Sequence, residues 1–208
     1  MATFDTEQEE FWAGDFGDGY IDRNNDDLLF RSNIDLFAKI LRRTRHVNSI
    51  IEFGPNIGLN LKAIKTLVPN INLAAVEINE NAVSHLKNIP ELDVYQDSIL
   101  NFSTARTFDL SLVKTVLIHI PPLELPKVYS LLYETSKRYI CIAEYYSQNP
   151  VEVLYRGHTS KLFKRDFAGE MLDTYPDLSM VDYGFVYSRD NNFPQDDVTW
   201  FLLEKGEK

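Results

Sequence analysis

Short apolar runs that halt at glycine or polar residues alternate, along most of this chain, with stretches whose apolar residues recur every three or four positions. The first kind reads as buried strand and the second as amphipathic helix. Leu28, Leu29, Ile34, Phe37, Ile40 and Leu41 predict a helix over residues 25–46, with Arg42, Arg43 and Arg45 at the end that favours cations. Strands are predicted over 49–53, 72–76, 92–95, 108–113 and 139–143. Helices fall between them over 59–68, 79–87 (with Asn79 as N-cap) and 122–137, the last opened by prolines. Such alternation implies a parallel sheet covered on both faces.

A helix is expected over 163–175, followed by two β-like runs over 178–187 and 198–204. The link between those runs, residues 188–197, is polar, contains Pro194 and lacks a helical pattern. It is too short for a parallel crossover, so the last two strands should pair antiparallel. The expected fold is therefore α/β and Rossmann-like: a seven-stranded, mostly parallel sheet with an antiparallel last strand and helices on both faces. One domain is expected over residues 1–208, divided into an N-terminal arm or lid (1–24), a leading helix (25–46), a core (47–145) and a closing region (146–208). In the arm, Gly14, Gly17 and Gly19 argue against one continuous helix.

Charge narrows the partners. The chain carries 31 acidic and 21 basic side chains, a net charge of −10, which disfavours nucleic acid and anionic lipid surfaces. No apolar run approaches the ~18 residues needed to span a bilayer, and the acidic start lacks the basic and apolar regions of a secretory signal, so a cytoplasmic location is expected. Cys141 is a lone, buried thiol in the expected fifth strand. The histidines at 46, 85, 119 and 158 show no short ligand spacing, and no metal is expected.

The sharpest local signal is Glu52-Phe53-Gly54-Pro55-Asn56-Ile57-Gly58-Leu59-Asn60, where a strand turns into a helix. Gly54 permits the turn, and Gly58 would let backbone approach a ligand above the strand end. Asn56 and Asn60 replace glycines of the dinucleotide fingerprint, so the loop suits a ligand without a pyrophosphate. Glu77 ends the second strand near the ~20-residue offset at which an acid meets a ribose diol. Asp97 and Ser98 follow the third strand, where an acid can accept from an adenine amine between Ile78 and Ile99. Three strand-end acids along one rim point to a bound nucleoside.

This order of features resembles the class I methyltransferases. Phe11-Trp12-Ala13-Gly14-Asp15-Phe16-Gly17 with Tyr20, Arg23 and Asn24, then Glu144-Tyr145-Tyr146, Tyr155-Arg156-Gly157-His158, Leu162 to Ala168 and Asp190-Asn191-Asn192-Phe193-Pro194, resemble the pseudaminic acid biosynthesis-associated methylases over nearly the whole chain. The resemblance implies S-adenosyl-L-methionine as cofactor and a small, polar acceptor from surface-polysaccharide biosynthesis: an amino sugar, a nonulosonic acid or a sugar nucleotide. Lys114 then lies over the cofactor's methionine end, and Arg23 reaches its carboxylate or helps close a lid with Trp12 and Tyr20. His119 is the expected general base, with Tyr145 and Tyr146 as further catalytic candidates. Arg156, His158, Lys161, Lys164 and Arg165 form a basic cluster suited to an anionic substrate, unless Asp166 and Glu170 pair with it. Arg189 and Asn191 offer hydrogen bonds to a sugar, or merely turn a hairpin. Two rival readings are a nicotinamide-dependent sugar oxidoreductase and a cofactor-binding protein without catalysis.

Overall fold

A computed structural model describes residues 4–23 and 26–206, the side chains of Asp22 and Arg23 excepted. The arm is helical on both sides of Gly14. Helix α1 (Glu7–Ala13) opens with a capping box in which Thr6 and Glu9 each satisfy the other's backbone N–H. After Gly14 comes α2 (Asp15–Arg23). Gly17 is required there because a Cβ would lie 2.0 Å from the Trp12 carbonyl oxygen.

Helix α3 (Asp27–Leu41) starts at Asp26, whose carboxylate accepts from Leu29 N at 2.6 Å. It ends before the arginines expected to close it. Arg42 is the C-cap, and Arg43 reaches across to Asp182 at 2.7 Å. Strand β1 (Ser49–Phe53), α4 (Leu59–Leu67), β2 (Asn72–Glu77), α5 (Glu80–Leu86), β3 (Leu92–Gln96) and β4 (Phe108–Lys114) follow the expected alternation. Asn79 caps α5 through Ala82 N at 2.8 Å. A 3₁₀ turn, Leu117–His119, leads to α6 (Leu125–Thr135), shorter than expected because Pro121 and Pro122 lie in the turn before it. Strand β5 (Ser136–Glu144) begins directly at the end of α6.

The helix expected from Phe163 begins later. Phe163 and Lys164 form a short strand, β7 (Phe163–Lys164), that pairs antiparallel with β6 (Val151–Glu152), and α7 (Phe167–Thr174) starts only where Asp166 caps Gly169 N at 2.8 Å. The chain closes with β8 (Leu178–Val186) and β9 (Val198–Lys205), paired antiparallel.

The sheet order is β3-β2-β1-β4-β5-β9-β8, with β9 antiparallel to its neighbours and the other six strands parallel to one another. Alternate residues serve opposite faces. Ile51, Val76 and Ile142 pack with Val128 and Leu132 of α6, whereas Ile50, Leu73 and Cys141 pack with Phe37 of α3 and Ile64 of α4. Burial on both faces explains why the central strands are apolar throughout. The chain leaves β1 in one direction toward β2 and returns on the other side at β4, which opens a crevice at the strands' C-terminal ends. Among the described residues no helix is long and apolar enough to cross a membrane.

Candidate functional site

One cleft opens at that crevice, roofed by α1, α2 and the start of α3. Its floor begins at Gly54, whose φ of +70° and lack of a side chain are both needed, since a Cβ would lie 2.5 Å from Val116 Cγ2. Asn56, also at positive φ, donates its backbone N–H to Glu77 Oε2 at 2.8 Å. Glu77 Oε1 accepts from Asn79 N at 3.0 Å, and burial raises this carboxyl's pKa. Glu77, Ile78, Asp97, Ser98 and Ile99 line the cleft together, as the strand-end reading required.

Gly58 plays a different part from the one expected. It does not line the cleft, and a Cβ there would meet Ile89 Cδ1 at 2.6 Å and Leu86 Cδ2 at 2.8 Å. Its φ of +78° starts α4 while its bare Cα lets α5 pack close.

At the other end of the cleft, Asn60 Nδ2 donates to Glu52 Oε1 at 2.6 Å. Glu52 Oε2 and the Oδ1 of Asn33, on α3, are buried acceptors without a hydrogen-bond partner among the described residues. Burial pushes the Glu52 carboxyl up to about 7, against the pull of the Asn60 bond and the Lys114 charge. Lys114 also lines the cleft; desolvation lowers its pKa, against the opposing pull of Glu52, Asp196 and Glu144.

His119 is buried and faces the same cleft. Its Nδ1 lies 2.6 Å from the Lys161 carbonyl oxygen, and burial pushes its pKa down to about 4, so the imidazole is neutral. The turn that carries it is pinned by Glu144, whose Oε1 accepts from Val116 N and Leu117 N, both at 2.9 Å. Trp12 and Tyr20 of the arm line the cleft as well, with the Trp12 ring 4.6 Å from that of His119.

The remaining expected residues are not gathered into the cleft. Tyr145 is half-buried, with burial and Asp196 pushing its phenol up, and the Lys164 ammonium sits 5.1 Å from its ring centre. Tyr146 is exposed against Phe201. Arg165 is held by Glu170 at 2.7 Å, the ion-pair alternative for that member of the basic cluster. Arg156 is exposed, and His158 packs edge-on to Phe11. Arg189 and Asn191 lie exposed in the β8–β9 turn, which Asp190 closes by accepting from Asn192 N and Phe193 N, each at 2.8 Å. The side chain of Arg23, and the whole of Asn24, lie outside the described residues.

Several residues of the site carried weaker sequence signals. Glu9 lines the cleft and accepts from Ser98 Oγ. Its Thr6-x-x-Glu9 spacing marks it as a helix cap, not as a cleft residue. Asn33 is a polar residue on the apolar face of α3, beside Leu36 and Phe37, and that break in pattern was the available clue. Glu144 and Tyr155 stood only in segments that carry the family resemblance, and no local pattern showed their contacts, because their partners are distant in sequence.

No family model matches the chain. A curated relative, the tRNA1(Val) (adenine(37)-N6)-methyltransferase of Pseudoalteromonas translucida (strain TAC 125), is 34% identical over 71 residues, 31% of each chain, so the match spans about a third of that protein. Among solved structures, the plantazolicin methyltransferase BpumL in complex with SAH superposes with a TM-score of 0.66 at 16% identity, covering 96% of this chain and 94% of that one. The N-methyltransferase NodS of Bradyrhizobium japonicum WM9 gives 0.65 at 15% identity over 88% and 99%. Magnesium protoporphyrin IX methyltransferase of Synechocystis PCC 6803, with bound SAM, gives 0.67 at 11% identity over 99% and 100%. The fold of this chain is that of the S-adenosylmethionine-dependent methyltransferases.

Proposed function

We propose that this chain is an S-adenosyl-L-methionine-dependent methyltransferase acting on a small polar, sugar-derived acceptor. The observation that carries the reading is the pairing of a nucleoside end with a cation-accepting end in one cleft. Glu77, Ile78 and Ile99 line one end, and in this reading the first takes a ribose diol and the other two flank an adenine. At the other, Asn33 Oδ1, a buried acceptor without a partner among the described residues, suits the cofactor's ammonium, and Lys114 suits its carboxylate, while Glu52 lies buried behind the wall, bonded to Asn60. Buried acceptors left without donors cost about 1–3 kcal/mol each, which a cationic ligand relieves.

A dinucleotide fits poorly. Its pyrophosphate needs free backbone amides, but Asn56 N is taken by Glu77 and Gly58 N by the Pro55 carbonyl. Acids outnumber bases along the lining, which favours a sulfonium over a diphosphate. A tRNA acceptor, the substrate in the curated relative's name, is disfavoured by the net charge of −10.

When bound, the cofactor supplies an electrophilic methyl group on sulfur. The protein's own part is to hold the acceptor in line, keep water out and receive a proton. In this reading Trp12 and Tyr20, which line the cleft, cover the site, and His119 on the same wall takes the proton. The sugar-derived, anionic character of the acceptor rests on the sequence resemblance, since Lys164 lies outside the cleft over the Tyr145 ring. Titration calorimetry with S-adenosylhomocysteine and, separately, NAD tests the cofactor. Saturable binding of the first and none of the second is expected, and the reverse sinks the reading. Radiolabelled methyl transfer to a panel of sugar nucleotides and sugar acids then tests the acceptor class.

A further inference from the structure

The indole Nε1 of Trp12 is buried and has no hydrogen-bond partner among the described residues. Native structures leave few such groups, and each calls for a reason. Beside it stands His119, its ring centre 4.6 Å from that of Trp12 and both rings on the cleft wall. The Lys161 carbonyl oxygen can only accept, so His119 Nδ1 carries the hydrogen of that 2.6 Å bond and Nε2 holds the lone pair. The two rings therefore present one unused donor and one acceptor.

We infer that Trp12 Nε1 and His119 Nε2 together hold the oxygen of an acceptor hydroxyl, so that the methyl group is transferred to oxygen. This inference rests on the methyltransferase reading and specifies its acceptor atom. The argument is a count of hydrogens and lone pairs. A hydroxyl has one hydrogen, which it donates to Nε2, and two lone pairs: one accepts from the indole N–H and the other faces the methyl group. A neutral amine has a single lone pair, which must point at the methyl carbon and leaves the indole N–H orphaned. An ammonium has no lone pair at all, and a carbon nucleophile matches neither ring.

In the step, an oxygen lone pair forms the new O–CH₃ bond while the CH₃–S bond breaks and its electron pair returns to sulfur. The hydroxyl proton passes to Nε2. The products are a methyl ether, a neutral thioether and an imidazolium. Burial makes His119 a weak base, with a pKa near 4, yet weakness is no obstacle here. The proton leaves an oxygen that is becoming a protonated ether, a stronger acid than imidazolium, so transfer is downhill once the C–O bond is under way. The indole N–H contributes by orienting the oxygen, and Tyr155, 5.0 Å from His119 between ring centres, keeps the imidazole in place.

The test supplies the full chain with ¹³C-methyl-labelled S-adenosylmethionine and a small-molecule extract of the source cells, then reads the carbon shift of the new methyl. A methyl ether is expected. Trp12→Phe, which keeps a ring and loses the N–H, should lower kcat/KM by ~10-fold with S-adenosylhomocysteine affinity unchanged, the scale of one lost hydrogen bond. A methylamine or a C-methyl product overturns the inference, as does ether formation by Trp12→Phe at the wild-type rate. Independently of any acceptor, ¹⁵N spectra of the S-adenosylhomocysteine complex, with His119 assigned through His119→Gln, should show the Nδ1–H tautomer at neutral pH. The Nε2–H tautomer or an imidazolium overturns it equally. Failure of the wild-type protein to bind S-adenosylhomocysteine would instead remove the methyltransferase reading, whereas tight binding with a methylamine product removes the hydroxyl alone.

Discussion

At the nucleoside end of the cleft, Asn79 to Glu77 and Ser98 to Asp97 are contacts within one strand end and Asn56 to Glu77 joins two neighbouring ones, while from the arm Glu9 reaches Ser98 and Asp18 reaches Asn79. At the acceptor end the contacts span most of the chain. Gln8 donates to the Ser160 carbonyl at 2.8 Å, Lys161 meets Glu7 at 3.4 Å, and Trp12 and Phe16 pack against His119 and Tyr155. The backbone of the first end is set by the sheet and comes with the fold. The second is an assembly of loops and an arm, and it is where an acceptor preference is built.

Four substitutions sharpen this contrast, in falling order of effect. Glu144, beneath the acceptor end, has its carboxyl pushed up by burial from 4.5 to about 7. Between those values the native state keeps a proton that the unfolded chain has released, so the stability it contributes is present at low pH and lost as pH rises toward 7. Glu144→Gln lacks that loss. Its unfolding free energy should therefore gain on wild type by on the order of 3 kcal/mol between pH 4.5 and 7, measured by urea denaturation at each pH. Parallel profiles would mean that Glu144 is not a buried, titrating acid; the opposite change at His119 is common to both proteins and cancels.

Glu77→Ala removes the acid of the nucleoside end and should weaken S-adenosylhomocysteine binding by about 1–3 kcal/mol in calorimetry. Unchanged affinity would detach the ligand from this strand end. Gly58→Ala separates packing from lining: its positive φ and the crowding by Ile89 and Leu86 should cost about 1–2 kcal/mol of stability, while ligand affinity in the folded protein stays as it was. A fall in affinity would restore the ligand-approach role expected from sequence. Arg189→Ala, in the exposed turn, should shift stability by less than ~0.5 kcal/mol and leave cofactor binding alone. A rise in KM for the acceptor would show that the turn reaches over to the site.

How much of this was legible in the sequence follows the same division. Strand-end residues announce themselves because a buried run must stop where the ligand begins, so Glu77, Asp97 and Gly54 were found by position. Gly58 was found for the wrong reason, since spacing reveals a bare Cα and not which neighbour needs it. The helix expected from Phe163 failed because Asp166 prefers to cap and Phe163-Lys164 had a strand partner in Val151-Glu152. The arginines after α3 were assigned to a helix end that stops short of them. The basic cluster mixed residues of different fates, with Arg165 neutralised by Glu170 and Lys164 left over Tyr145. No local pattern could pair Trp12 with His119.

The long-range attachment of the arm also bears on how this protein assembles. Residues 7–23 leave the ribosome before any strand, yet Ser160 and Lys161, to which α1 is fastened, emerge after the parallel core is already complete. Helices as short as these gain little stability in isolation, so the arm is the natural last piece to dock. What docks last is commonly what detaches first, and the route by which a spent cofactor departs should lie beneath it.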